Sequence, residues 1–369
     1  MRPVSVPFAS RAFFVSQVDQ QAGNSNQALI REPLTISALE ANSPLAHADS
    51  EVVSAWRLLA FNWKFLACIA GIVLAWLVAT RFYVEPSGYL AAFAFAALCS
   101  WSALRNARSA TPPNPRVFFT LTALAQMTLA VPVMLTLTYV ATSISFPLQD
   151  AQLLAWDRAL GFDFRRFLDF INNHPELIPV LARSYNSISL QMTLLVLLLP
   201  LAGCYRRSAE AICAYGFALF ATTCISVFVP AIGVYDVLGL GPADLPYFEP
   251  MGYYDTLRDA PLVRAGALLE LRLTQLVGIV TFPSFHAAAA ILYMWSFWPF
   301  RWLRLLSVPW NILMIVATPL GGGHYLVDIL AGISVATAAI MATRAISTAC
   351  SSGRLELMSA TRLPIAPPA

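Results

Sequence analysis

Two histidines and one aspartate have the types and spacing that could do chemistry in this chain. His286 heads the apolar run "TFPSFHAAAAILYMW", just after a proline and a serine, and His324 lies in "PLGGGHYLVDILAG". Asp328 follows His324 by four residues, which on a helix puts both side chains on one face, one turn apart. An ionisable residue within an apolar segment is a functional candidate by default. The chemistry that needs this set is phosphoryl transfer through a histidine. An imidazole nucleophile must have one nitrogen free and its other N–H held, and a carboxylate one turn away can hold it. A second histidine can protonate the departing alkoxide. Backbone N–H groups from Ser284 to Ala287, at a helix start, offer an anion site, and the glycines at 321–323 let backbone approach a phosphate. Two rival readings use the same residues. They could ligate a metal, although no H-E-x-x-H or comparable spacing is present, or they could be satisfied packing residues. His47 and His174 are assigned no role.

The elements that position these residues follow from composition. Of the 369 residues 58% are hydrophobic and 12% charged, half the charge of ordinary soluble domains, and the mean hydropathy is +0.65. These values predict an all-α, polytopic integral membrane helix bundle. Stretches long enough to cross a bilayer recur near 60–80, 87–105, 118–144, 179–203, 210–231, 279–299, 303–321 and 324–345, about eight spans. Residues 146–178 alternate apolar and charged side chains as an amphipathic helix lying in the interface does. The net charge of +3 without a basic cluster excludes a nucleic-acid partner. The six cysteines form no C-x-x-C pair, against a disulfide framework or thiolate site.

Boundaries follow from these runs. Residues 1–55 read as a disordered cytoplasmic tail, 56–145 as N-terminal transmembrane helices, 146–346 as the catalytic domain and 347–369 as a cytoplasmic C-terminal tail. With both termini inside, 15 of the 23 basic residues fall on the inner side and 8 outside, as the positive-inside rule expects. His286 and His324 then begin the sixth and eighth spans on the outer face, at one membrane depth.

The motifs "FPSFHAAAAILY" and "GGHYLVDILAG" resemble the second and third signatures of the type 2 phosphatidic acid phosphatase superfamily. The branch most similar contains inositol-phosphorylceramide synthases and related bacterial membrane phosphatases. "LQDAQLLAWDRALGFDF" and "ARSYNSISLQM" extend the resemblance over roughly 146–340. It implies that His324 is the nucleophile, Asp328 its orienting partner and His286 the general acid, with no metal or other cofactor. It also implies a lipid phosphate as substrate and a bacterial inner membrane as location. The sequence departs from the broader superfamily where Phe285 replaces a glycine, where Ala317 and Thr318 replace a Ser-Arg pair, and where a K-x6-R-P motif is missing. Lys64 is the only lysine, on the inner side. Some cation should still neutralise the phosphate, and Arg183 and Arg264 are the outer-side candidates. Ser284, Gly323 and Tyr325 complete the expected substrate-binding set.

The expected function is therefore a lipid-phosphate phosphatase working through a phosphohistidine. The alternatives are a phosphotransferase moving a phospho-headgroup between lipids, and a catalytically silent scaffold or transporter.

Overall fold

The computed structural model describes residues 44–108 and 114–351; most of both expected tails, 1–43 and 352–369, lies outside the described residues. The described residues are helical almost throughout. Helix α1, Pro44–Ala79, begins inside the segment expected to be tail. "PLAHADSEVVSA" is rich in helix formers with a proline at the first position, which is why. Helices α2, Pro86–Ala107, and α3, Pro115–Ser143, each start at a proline behind a capping side chain, Glu85 and Asn114. Between α1 and α2 runs the short strand β1, Tyr83–Glu85.

The expected single interfacial helix is two short ones, α4, Asp150–Ala159, and α5, Phe164–Asn172. They are separated by Gly161, whose φ of 81° is left-handed and ends α4. Helices α6, Ile178–Asn186, and α7, Ile188–Leu201, form one span bent by 47°. After α8, Tyr205–Phe228, come the short α9, Val234–Leu238, and α10, Met251–Arg264. Strand β2, Glu270–Arg272, then pairs in parallel with β1. Helices α11, Phe285–Ser296, α12, Arg301–Gly322, and α13, Leu326–Ser351, complete the bundle.

Among the described residues, six helices are long and apolar enough to cross a membrane, or seven with the bent pair, against about eight expected. The difference lies at 279–299. Pro283 and the capping Ser284 start α11 only at Phe285, and it stops before Pro299. Its 12 residues rise about 18 Å, short of the ~30 Å hydrocarbon core. Large apolar side chains such as Leu74, Val78, Phe93 and Trp101 are exposed, as lipid-facing positions are. The chain is thus a multi-pass membrane helix bundle.

Helix α11 is the hub. Ala287, Ala288, Ala289 and Ala290 are all fully buried, and such small side chains let α8, α12 and α13 close around them. A second core caps one end, where α4, α5, α6, α9 and α10 pack on the last turn of α12 and on Tyr325. That cap lies over the two histidine segments.

Candidate active site

Helix α12 ends at three glycines, and Gly323 takes the left-handed conformation (φ 65°) that turns the chain back into α13. His324 stands in that turn, 4% exposed. Its Nδ1 lies 3.2 Å from Oδ2 of the fully buried Asp328, and the same oxygen accepts the Tyr325 N–H at 2.9 Å. With Asp328 ionised and so only accepting, the proton of that bond is on Nδ1, which leaves Nε2 its lone pair.

His286 occupies the first turn of α11. Ser284 caps this helix through Oγ, which accepts the Ala287 N–H at 3.4 Å, and its own N–H reaches the Asp328 carbonyl at 3.0 Å. Gly332 faces the Ser284 carbonyl with no room for a methyl group. Helix α11 therefore starts level with Asp328, in the first turn of α13, rather than level with His324 as its sequence position suggested.

Both histidines line one cavity of about 470 Å³. Tyr185, Asp255, Gly252, Gly322 and Phe285 also line it, and Met134, Leu135, Met192, Tyr215 and Leu219 are part of its apolar lining. The histidine ring of residue 286 stacks on Tyr185 with centroids 3.9 Å apart. No lysine or arginine is among the lining residues.

The expected substrate-binding residues lie elsewhere than on the cavity wall. Arg183 is exposed, and two residues from Tyr185 on a helix means roughly 200° around the axis, so it faces away. Arg264 donates to the Phe146 carbonyl at 2.8 Å, tying down the loop before α4. Ser284 is a buried cap. Gly323 gives its carbonyl to the Val234 N–H at 2.8 Å, and Tyr325 donates to Asp150 at 2.9 Å.

Sequence reasoning missed the two acids that hold this turn. Asp157 accepts the N–H groups of Leu326 and Val327, at 2.8 and 2.9 Å, and so caps α13. Burial pushes its carboxyl above the ordinary value, opposed by those two donors. Asp150 accepts the Tyr325 hydroxyl and the N–H groups of Ile232 and Gly233. The two lie seven residues apart on one face of α4. That spacing was the available signal, but both read as solvated charges of a surface helix. Among the described residues, no three His, Cys, Asp or Glu side chains form a metal-ligand set.

The chain is a multi-pass membrane bundle in which two histidines line one cavity and a buried aspartate holds one of them. The chain belongs to the PAP2 superfamily, whose pattern matches residues 151–342, both histidine motifs included. Members of that superfamily are phosphoric ester hydrolases, and membership suggests a phosphatase or phosphotransferase of lipid phosphates. No match was found among curated proteins or among solved structures.

Proposed function

We propose that the protein removes the phosphate of a membrane lipid phosphate ester through a phosphohistidine at residue 324. The observation that carries this reading is the Nδ1 contact of His324 with Asp328, which leaves Nε2 free on a cavity shared with His286. In the first half-reaction the Nε2 lone pair forms the N–P bond. The P–O ester bond breaks, its electron pair stays on the lipid oxygen, and that oxygen takes a proton from His286. In the second half-reaction water attacks phosphorus and gives its proton to His286. The N–P bond breaks with its pair returning to His324, and inorganic phosphate leaves. Asp328 holds the imidazole and stabilises its positive charge throughout. The N–H groups of Phe285 and His286, at the positive end of α11, support phosphate binding.

The apolar lining formed by Met134, Leu135, Met192 and Leu219 suits a substrate with a lipid tail whose phosphate meets the histidines. The positive-inside count supports a site facing the outer side, opposite the Arg206, Arg207 and Arg301 ends of α8 and α12. Transfer to an alcohol would share the first half-reaction and differ only in what attacks second.

Purified protein in detergent, with EDTA, is to be offered phosphatidic acid, phosphatidylglycerophosphate and undecaprenyl pyrophosphate. The expected result is phosphate release and labelled protein, both abolished in His324→Ala. Labelled protein that releases phosphate only when an alcohol is supplied would make it a transferase. Turnover undiminished in His324→Ala would refute the phosphohistidine.

A further inference from the structure

Three glycines stand where a methyl group would strike one tyrosine. A Cβ on Gly321 would lie 2.8 Å from Cγ of Tyr185, one on Gly322 2.9 Å from its hydroxyl, and one on Gly252 2.5 Å from the same oxygen. The end of α12 and the start of α10 are thus cut back around the Tyr185 side chain. The ring is stacked on His286, nearly parallel at 10°. Its hydroxyl reaches the nucleophile's side of the cavity, because Nε2 of His324 lies 2.7 Å from the same Gly322 Cβ position. One residue therefore touches the region of both histidines.

The hydroxyl is also unspent. Tyr139, Tyr235, Tyr293 and Tyr325 are all buried, and each hydroxyl donates, to Asp259, Leu320, Ile188 and Asp150 respectively. Tyr185 is 7% exposed, yet its hydroxyl has no hydrogen-bond partner among the described residues and borders the cavity. A buried donor without a protein acceptor costs stability, so its acceptor is to be sought in what enters the cavity. With no lysine or arginine on the wall, the negative oxygens of a transferring phosphoryl group need another donor.

We propose that Tyr185 is a catalytic residue. Its hydroxyl donates a hydrogen bond to a non-bridging phosphoryl oxygen as the N–P bond forms, and its ring holds His286 in line with the leaving oxygen. The O–H bond stays intact, so no proton is transferred by this residue. The inference rests on the phospho-His324 reading and adds to it the donor that compensates for the missing cation.

The test compares wild type, Tyr185→Phe, Tyr185→Ala and Gly252→Ala on a lipid phosphate turned over by the wild type, measuring His324 labelling, kcat, KM and the pH profile. Removing one donor aimed at developing charge costs about 10²–10³ in kcat, and Tyr185→Phe should show that loss with KM within a few-fold and melting unchanged. Tyr185→Ala should in addition shift the limb of the pH profile that reports His286. Gly252→Ala should lower kcat with the hydroxyl still present, by displacing it. Wild type that labels on His324 beside a fully active Tyr185→Phe overturns the role of Tyr185 alone. Wild type that turns over with no label on His324 overturns the phosphohistidine reading and this inference with it.

Discussion

Asp157 and Leu326 are joined by a 2.8 Å hydrogen bond across 169 residues of sequence. The bond places a carboxylate from an interfacial helix on the first N–H of the helix that carries Asp328, and Val327 supplies a second N–H at 2.9 Å. A helix start has unsatisfied N–H groups and a partial positive charge, and an acid there answers both. His324 stands two residues upstream of Leu326, so the cap also fixes the turn from which its ring projects.

Asp157→Asn tests that cap. The amide retains one acceptor and turns its NH2 toward the second N–H, leaving a buried donor unpaired. The expected cost is about 1–3 kcal/mol, read as a lower melting temperature in detergent, with a fall in kcat because the turn carrying His324, the proposed nucleophile, loosens. Unchanged melting would mean that the α13 start is held by its packing alone.

The same residue gives a pH dependence with a defined sign. Burial raises the Asp157 carboxyl above its ordinary value, the two backbone donors notwithstanding. The folded protein therefore binds this proton more tightly than the unfolded chain. Its contribution to stability is full below the unfolded value of about 3.9 and is lost as pH rises through the folded value. The melting advantage of wild type over Asp157→Asn should narrow as pH rises from about 4. A widening gap would show that the two N–H donors outweigh burial.

What the sequence revealed of this site was what lies close together along the chain. His324 and Asp328 are four residues apart, and the proline and serine before His286 mark a helix start, so both local relationships could be read. Asp150, Asp157 and Tyr185 could not, because their partners are backbone groups or side chains reached only after the cap folds over α12 and α13. Asp157 looks like one of several charges on an amphipathic surface, yet it is 1% exposed. Arg183 was selected for charge and position, but its helix turns it away while carrying Tyr185 inward. The span count was coarse for a related reason: hydropathy registers apolar side chains whether the backbone is helical or extended, and 279–284 are apolar but not helical.

Gly332 sets the distance between α11 and α13. A methyl group there would collide with the Ser284 carbonyl and press on the Ala287 side chain at 3.3 Å. A backbone oxygen at the start of α11 cannot swing aside as a long side chain can. Gly332→Ala should push α11 off α13, break the Ser284 N–H bond to Asp328 and move His286 away from His324. Overpacking of this kind costs about 1–3 kcal/mol. Turnover is expected to fall more than stability does, since the displaced element carries His286, the proposed general acid. A variant with wild-type kcat would show that α11 relaxes without disturbing His286.

The apolar side of the cavity makes a prediction about the lipid itself. Met134 and Leu135 of α3, Met192 of α7 and Leu219 of α8 are its apolar lining. A tail lying there gains about 0.8 kcal/mol for each methylene removed from water. Leu219→Trp would fill part of the cavity with a larger ring. Excluding two methylenes should then cost about tenfold in kcat/KM for a long-chain lipid phosphate. A short-chain, water-soluble phosphate ester that never reaches this lining should be turned over as by the wild type. Measuring kcat/KM across a series of chain lengths separates the outcomes. A uniform loss at every length would mean that the ring disturbs the histidines instead, and no loss at any length would place the lipid tail outside the cavity.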